Sequence, residues 1–299
     1  MRTGLLIGEP SGPGALNELR DRLAKAADDG FASAWLSNIF GLDALTALAV
    51  AGSQVPGIEL GTAVVPTYPR HPIALAQQAL TVNAALGGRL TLGIGLSHKV
   101  VIEGVFGLGF DRPARHMREY LTALGPLLAS EQTDVDGETL RAHIRLSTPT
   151  SGAPPVLVAA LGPRLLKIAG ELADGTVLWM TGPATVAGHI APEINAAAAA
   201  AGRPAPRVVC ALPVCVTGDA GEARARAARI FKMYGELPSY RAMLDREGAA
   251  GPADVALIGD EDAVAARVDA LAKAGVTDFV ASVFTRDDTR TAAFLRSLL

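Results

Sequence analysis

The stretch GGRLTLGIGLSHKVVIEG, residues 87–104, passes from a helix end through an apolar strand to a polar turn. A glycine pair ends the preceding helix, the strand closes on Gly93 and Gly95, and polar side chains begin at Ser97. A nucleotide-binding loop, a structural kink and the floor of an active site are all compatible with this pattern. A dinucleotide-binding loop requires a third glycine three positions after the second. That position is His98, so a Rossmann-type loop is disfavoured.

The same order of helix, glycine and strand recurs along the chain. Four sets of apolar residues at helical spacing each precede a glycine. Leu16, Leu19, Leu23 and Ala27 precede Gly30, and Leu75, Ala79, Val82 and Leu86 precede the pair at 87–88. Leu165, Ile168 and Leu172 precede Gly175, and Val264, Val268 and Leu271 precede Gly275. Apolar runs predict eight strands, at 3–8, 32–37, 58–65, 89–95, 155–160, 176–180, 207–216 and 277–284. Continuously apolar strands separated by helices are typical of a parallel sheet covered on both faces. We therefore predict an α/β fold, a (βα)8 TIM barrel; the alternative is a doubly wound Rossmann sheet with a second domain.

Two stretches interrupt this order. Residues 132–147 alternate in polarity around Asp136-Gly137, which predicts a hairpin inserted before the fifth strand. Residues 230–258 contain extra helical sequence and several proline and glycine breakers, which predicts an insertion before the last helix. The order otherwise runs through the whole chain, so we expect one barrel domain over residues 1–299.

Composition and charge exclude several classes of protein. Hydrophobic residues make up 49% and charged residues 19% of the 299 positions, which excludes a disordered chain. The formal net charge is −3 and aromatic residues make up 5%, so no nucleic-acid-binding surface is indicated. The two cysteines and five histidines form no metal-ligand motif, so we expect no metal site. No signal peptide and no apolar run of about 18 residues is found, so we expect a cytoplasmic protein without membrane contact.

Active sites of barrels lie at the C-terminal ends of the strands. The residues that follow the predicted strands are Gly8-Glu9, Ser37-Asn38, Val64 to Pro66, Gly95 to His98, Ala159 to Gly162, Met180 to Gly182, Val216-Thr217 and Phe284 to Arg286. This set is small and apolar, and it contains neither a Ser-His-Asp set nor a pair of carboxylates. A site so poor in protein acids suits a cofactor that brings its own reactivity.

Two positions are candidates for binding a phosphate. Gly162-Pro163-Arg164 begins a helix after the fifth strand, where free backbone N–H groups and Arg164 would accept an anion. Thr285 and Arg286 follow the eighth strand, a common phosphate position in barrels. The residues alone leave both open.

Five segments resemble, in order and spacing, the bacterial luciferase-like superfamily of flavin and deazaflavin oxidoreductases. They are DGFASAWLSNIFGLDALTALAVAG (29–52), GTAVVPTYPRHPIALAQQALTVNAALGGRLTLGIGLS (61–97), RPARHMREYL (112–121), LGPRLLKIAGELADGTVLWM (161–180) and AGVTDFVASVF (274–284). LGIGLSHKVVIEG (92–104) followed by DRPARHMREYL (111–121) is most similar to the branch that uses coenzyme F420. The resemblance implies an F420-dependent oxidoreductase, with FMN as the alternative cofactor.

In that superfamily the cofactor ring lies across the barrel mouth, against a non-prolyl cis peptide in the third strand. The matching bond here is Ala63-Val64. Gly93 and Gly95 then resemble a strand end where missing side chains let a flat ring approach the backbone. The cofactor-binding residues that the resemblance implies are Ser37, Ala63, Val64, Gly95, Ser97, Ala160, Leu161, Gly162, Pro163, Arg164, Met180 and Thr181.

One departure from the family pattern affects the chemistry. Well-known deazaflavin dehydrogenases of the superfamily have an Asp-His pair after the second strand, and its histidine serves in proton transfer. Here the pair is Asn38-Ile39, and Ile39 can move no proton. His98 stands where those enzymes have an acidic residue, and a histidine has a suitable pKa for acid–base work. We therefore expect His98 and Asn38 as catalytic residues; the alternative is a substrate that takes its proton from a different donor.

This departure favours reduction of an activated C=C or C=N bond in a small organic substrate over dehydrogenation of a sugar phosphate. Two alternatives remain, an FMN-dependent two-component monooxygenase and a non-catalytic cofactor-binding barrel. The resemblance further implies a homodimer whose partner is a small-molecule substrate, without nucleic acid or membrane.

Overall fold

The computed structural model describes residues 1–149, 151–285 and 289–299. The strands in these ranges are β1 (Arg2–Ile7), β2 (Ser33–Leu36), β3 (Glu59–Thr62), β4 (Val65–Pro66), β5 (Leu90–Gly95), β6 (Gln132–Asp136), β7 (Arg141–Arg145), β8 (Val156–Val158), β9 (Gly175–Trp179), β10 (Arg207–Val216), β11 (Leu257–Gly259) and β12 (Asp278–Val283). The helices are α1 (Ala15–Asp28), α2 (Ala44–Ala47), α3 (Pro72–Ala85), α4 (Lys99–Gly104), α5 (Pro113–Leu128), α6 (Pro163–Leu172), α7 (Pro183–Thr185), α8 (Ala191–Ala200), α9 (Ala220–Ile230), α10 (Lys232–Glu236), α11 (Pro238–Glu247), α12 (Pro252–Val255), α13 (Glu261–Lys273) and α14 (Thr289–Ser297). π-Helical turns at Leu48–Gly52 and Val186–Ile190 extend α2 and join α7 to α8.

Parallel pairing closes eight of the strands into a ring. The order is β1, β2, β3, β5, β8, β9, β10 and β12, and β12 pairs back onto β1. This confirms the predicted α/β fold, a (βα)8 TIM barrel, because a closed ring is incompatible with an open doubly wound sheet. The prediction from apolar runs succeeded because these strands are largely buried on both faces.

The helices pack around the ring through apolar stripes. All four residues predicted for the α3 stripe are buried, as are the three predicted for α13. In α1 the stripe is displaced by one position at each end: Ala15 and Ala26 are buried, whereas Leu16 is 40% exposed. None of the helices in the described ranges is both long and apolar enough to cross a membrane.

Both predicted insertions are present. β6 and β7 form an antiparallel hairpin in which Asp136 lies opposite Arg141, and the Gly137 N–H donates to the Leu140 carbonyl across the turn. The second insertion contains α10, α11 and α12. It also contains β11, which the sequence did not predict and which extends the sheet by pairing with the end of β10.

The inside of the barrel is layered. At the N-terminal ends of the strands, Arg207 Nη2 lies 2.7 Å from Asp278 Oδ1 and 3.0 Å from Glu59 Oε1, and Arg2 contacts both carboxylates. We call these four residues the charged floor. β3 and β10 are not neighbours in the ring, so the Arg207–Glu59 pair crosses the barrel. An apolar layer lies above the charged floor and consists of Trp35, Leu157, Val177, Val209, Ala211 and Val280. Ala63, Val64, Ala159 and Trp179 pack against this layer.

Candidate active site

A bulge interrupts the third barrel strand at the mouth. β3 pairs with β5 as far as Gly61, which lies opposite Thr91. Pairing resumes in β4, where Val65 lies opposite Ile94. Between these pairs the third barrel strand has three residues and β5 has two, so the third strand contains one extra residue. The peptide bond between Ala63 and Val64, inside this bulge, is cis. The cis bond therefore lies at the position that the resemblance implied.

The side chain of Thr62 replaces the missing strand pairing. Its hydroxyl accepts the Gly93 N–H at 2.9 Å and donates to the Gly93 carbonyl at 2.8 Å. These bonds satisfy both backbone groups of Gly93, which is buried. The bulge is consequently fastened to β5.

Gly93 and Gly95 make room for this bulge. A Cβ atom on Gly93 would lie 1.9 Å from the Thr62 carbonyl oxygen, and one on Gly95 would lie 2.7 Å from Val64 Cγ2 and 3.1 Å from Ala159 Cβ. The space we predicted for a flat ring is thus filled at Gly93 by backbone and at Gly95 by Val64. The surface toward the mouth is provided by the residues of the bulge, and a ring contact of Gly95 itself stays a prediction.

Ser97 and Met180 both have left-handed backbones, with φ of 61° and 53°. Non-glycine residues rarely adopt this conformation, and such positions cluster at functional sites. The Met180 side chain is fully buried, as is Thr181, whose hydroxyl donates to the Trp179 carbonyl. Their side chains are therefore part of the core, whereas Ser97 is half-buried.

His98 lies half-buried directly before α4, with its ring 5.8 Å from that of Tyr240 on α11. Burial lowers the pKa of His98 below its usual value, so the neutral imidazole dominates at pH 7. Asn38 is also half-buried, but its side-chain oxygen accepts the Ala44 N–H at 2.9 Å and caps α2. Only its NH2 group remains for a ligand. Ser37, next to it, is half-buried at the end of β2.

Glu9 is a carboxylate at the mouth that we had not selected as a site residue. It follows β1, and its Oε1 accepts the Ile39 N–H at 3.4 Å. A Cβ on Gly41 would overlap Glu9 Oε2, so the glycine lets the loop after β2 close over this side chain. Glu9 makes no ion pair with any described residue. Its only sequence signal was a polar residue directly after an apolar strand.

Two helices, α6 and α7, begin after the neighbouring strands β8 and β9, and their N-termini differ. At α7, the Glu247 carboxylate accepts the N–H groups of Ala184 and Thr185 at 3.1 and 2.7 Å, so the chain supplies its own anion. At α6, Gly162 is extended, no side chain caps the helix, and a Cβ on Gly162 would meet nothing within 4 Å. The α6 end is therefore the one that is open to a ligand.

The turn before α6 is fixed by a hydrogen bond with His189 and by the burial of Ala160. Ala160 is buried, and the Leu161 carbonyl accepts a hydrogen bond from His189 Nε2 at 2.8 Å if that nitrogen carries the proton. Pro163 and Arg164 are exposed, and Arg164 forms no ion pair within the described ranges. At the competing phosphate position Thr285 is half-buried, whereas Arg286 lies outside the described residues.

Comparison with known proteins agrees with this architecture. A Mycobacterium tuberculosis protein named as a coenzyme F420-dependent oxidoreductase is 32% identical over 192 residues, which cover 58% of this chain and 54% of that protein. The chain thus spans about half the length of this relative. The 5,10-methylenetetrahydromethanopterin reductase of Archaeoglobus fulgidus is 28% identical, with 88% of this chain and 89% of the reductase covered.

A solved structure has the same fold. The coenzyme F420-dependent tetrahydromethanopterin reductase of Methanopyrus kandleri superposes with a TM-score of 0.82 at 22% identity, covering 98% of this chain and 96% of the other. The family described as luciferase-like monooxygenase matches residues 3–278, from β1 to the start of β12. The protein therefore belongs to the luciferase-like monooxygenase family.

Proposed function

We propose that the protein is an F420-dependent oxidoreductase that reduces an activated C=C or C=N bond of a small organic substrate. The observation that carries this proposal is a barrel mouth backed by the Ala63–Val64 bulge and nearly free of acid–base groups. The names of the mycobacterial and archaeal relatives support the choice of cofactor.

The residues present fit a flat ring with an anionic tail. Ala63, Val64 and Ala159 offer small apolar side chains at the top of the barrel interior, with no polar atom that a ring would leave unpaired. The uncapped N-terminus of α6 and the exposed Arg164 fit the phosphodiester of a deazaflavin cofactor. In this proposal Gly162 lets the tail approach the backbone, and Leu161 and Pro163 shape the turn around it.

Bound F420 in its reduced form would supply a hydride from C5. The chain then has to hold the substrate over that face, exclude water and deliver one proton, so that the double bond gains one hydrogen at each end. His98 is the group at the mouth suited to hold and move this proton. Burial lowers its pKa below the usual value, so its protonated form grows only as the pH falls into the acid range. Reduction is consequently expected to accelerate toward acid pH, and His98→Gln should remove that dependence.

The test is a fluorescence titration of the protein with F420 and, separately, with FMN. We expect F420 to bind at least about tenfold more tightly, because Arg164 and the α6 N-terminus suit its tail. Arg164→Ala should weaken F420 binding, whereas the control Arg20→Ala, on the exposed face of α1, should not. Tighter binding of FMN would favour a two-component monooxygenase, and binding of neither would favour a non-catalytic barrel.

The assembly and the cellular location are part of the same proposal. We infer a homodimer because the resemblance to the luciferase-like superfamily implies one. Sedimentation equilibrium should give twice the chain mass, and a monomer across the micromolar range would overturn this. A cytoplasmic location stays a prediction.

A further inference from the structure

A row of aromatic rings extends along one side of the barrel mouth. The ring of His98 lies 5.8 Å from Tyr240, Tyr240 lies 5.2 Å from Tyr234, and Tyr234 lies 5.9 Å from Trp179. Phe231 continues the row at 5.9 Å from Trp179. We call these five residues the aromatic wall. Aromatic residues make up only 5% of the chain, so this concentration is a distinct feature of the mouth.

The wall combines barrel strands with the second insertion. His98 follows β5 and Trp179 ends β9, whereas Tyr234 and Tyr240 are on α10 and α11. The insertion therefore folds back over the C-terminal ends of the strands. Tyr234 meets both Trp179 and Tyr240 edge to face, at interplanar angles of 71° and 84°. This is a favourable arrangement for aromatic pairs.

Among the described residues, no charged side chain shifts the pKa of His98, Tyr234 or Tyr240. Burial alone lowers the pKa of His98, with no contribution from a neighbouring charge. Burial raises the pKa of Tyr240, and the only further contribution comes from Tyr234. The Tyr240 hydroxyl forms no hydrogen bond with any described residue. It is a neutral hydrogen-bond donor.

Apolar side chains form another part of the rim. Phe40, after β2, and Phe106, after α4, are 64% and 40% exposed, with their rings 6.4 Å apart. Ile39 is 59% exposed beside them. Exposed apolar residues grouped at the opening of a cleft mark a binding surface.

We propose that the aromatic wall selects an uncharged, planar, conjugated substrate, with Tyr240 as the specificity-determining contact. This rests on the proposed function, because the wall borders the same mouth that would hold the cofactor. Stacking on ring faces favours a planar molecule, and the Tyr240 hydroxyl supplies one hydrogen bond to a carbonyl or imine. Burying a charged group against these neutral rings is costly, which disfavours a carboxylate.

Glu247 is the positioning residue of this wall. Its carboxylate fastens the end of α11 to the N-terminus of α7, and the Thr185 hydroxyl donates to the Met243 carbonyl at 3.2 Å. Because Tyr240 is on the same helix, these bonds fix where its ring lies.

The experiment is calorimetric titration with benzylideneacetone, an uncharged planar ketone, and with cinnamate, a planar anion of similar size. We expect the ketone to bind at least about tenfold more tightly than cinnamate. Tyr240→Leu, which keeps an apolar side chain but removes the ring, should weaken ketone binding by about tenfold and leave F420 binding unchanged in the folded protein. Met233→Ala, an exposed position on α10, is the matched control and should change none of these.

Equal affinity for cinnamate and the ketone, or full ketone affinity in a folded Tyr240→Leu variant, would overturn the proposal. Each titration is run with and without F420. If F420 fails to bind while the ketone binds in a Tyr240-dependent way, the proposed function is wrong and the wall is still a binding surface. If F420 binds while the ketone does not, only the wall proposal is wrong.

Discussion

At the scale of single residues, Gly93 and Gly95 face different neighbours, so their replacement should affect stability and cofactor binding differently. Gly93→Ala forces a methyl group onto the Thr62 carbonyl and should destabilise the fold by about 3 kcal/mol or more. Gly95→Ala displaces the Val64 side chain, so it should cost about 1 to 2 kcal/mol and weaken F420 binding. Urea unfolding and F420 titration measure the two effects.

Gly104→Ala is the control for both, since its Cβ would meet nothing within 4 Å. A Gly93→Ala protein as stable as Gly104→Ala would contradict the packing of the bulge against β5.

His116 should make the protein sensitive to acid. It is 8% exposed, its ring stacks on Tyr68 at 4.1 Å, and burial lowers its pKa to about 4. Because the folded pKa lies below the unfolded value of about 6.5, the associated stability is complete above pH 6.5 and is lost as the pH falls to about 4. Between pH 7 and pH 5 we expect a loss on the order of 1 to 2 kcal/mol that is missing from His116→Gln. Urea unfolding across this pH range checks it, and parallel curves for both proteins would refute it.

Only part of the site's residue-level detail could be read from the sequence. The position of the cis bond was predicted from the resemblance, because the sequence pattern that marks it lies within one short segment around residues 63 and 64. The fastening of Gly93 by Thr62 was not, because it depends on a register shift between two strands that are distant in sequence. The capping role of Asn38 and the burial of Met180 likewise depend on neighbours that sequence spacing does not reveal.

At the scale of elements, the hairpin of β6 and β7 is attached to the barrel through Glu119 on α5. Its carboxylate accepts the N–H groups of Glu138 and Thr139 at 3.1 and 2.8 Å, and the Thr139 hydroxyl at 2.5 Å. Glu119→Ala should cost about 1 to 2 kcal/mol and speed amide hydrogen exchange in the hairpin turn.

Glu131→Ala, an exposed position just before β6, is the control and should leave hydrogen exchange unchanged. Protection of the hairpin turn that is equal in both variants would show that Glu119 does not hold the hairpin.

The elements that were predicted well are those with a strong repeating signal. Eight apolar strands could be placed because burial on both faces requires long apolar runs, and four of them follow a helix that ends at a glycine. β11 was missed because it has only three residues and follows a stretch rich in breakers. It exists because the end of β10 extends beyond its barrel neighbours and leaves backbone groups that Leu257–Gly259 pair with.

At the scale of the whole molecule, the charged floor connects four strands across the barrel. Burial lowers the pKa of Arg207, but the hydrogen bonds and charges of Asp278 and Glu59 outweigh burial and raise it. The Asp278 side chain is 3% exposed, so Asp278→Asn removes the most buried carboxylate of the floor and leaves Glu59 alone to pair with both arginines, which should cost about 3 kcal/mol. Chemical unfolding measures the loss.

Asp269→Asn is the matched control, because Asp269 pairs with Lys273 at 2.6 Å but has a 60% exposed side chain. It should change stability by less than about 1 kcal/mol. Equal losses in the two variants would contradict a structural role for the floor.

The organisation of residues 1–299 as one domain is a proposal at this scale. The family and the fold could be predicted from the order of the segments. The substrate could not be predicted, because the aromatic wall proposed to select it combines β5, β9 and an insertion, and no local sequence pattern encodes where that insertion lies. Limited proteolysis should leave the barrel intact and cut first in exposed loops; an early cut that yields two stable halves would count against a single domain.

The charged floor also has a kinetic consequence. Because it closes one end of the barrel, cofactor and substrate share a single entrance, and the deeper ligand has to arrive first and leave last. If the proposed reduction is correct, turnover should then follow a compulsory order, with the deazaflavin bound before the substrate and the organic product released before the oxidised cofactor. Product inhibition that is competitive between the two forms of the cofactor, and non-competitive between product and cofactor, is the steady-state signature of that order.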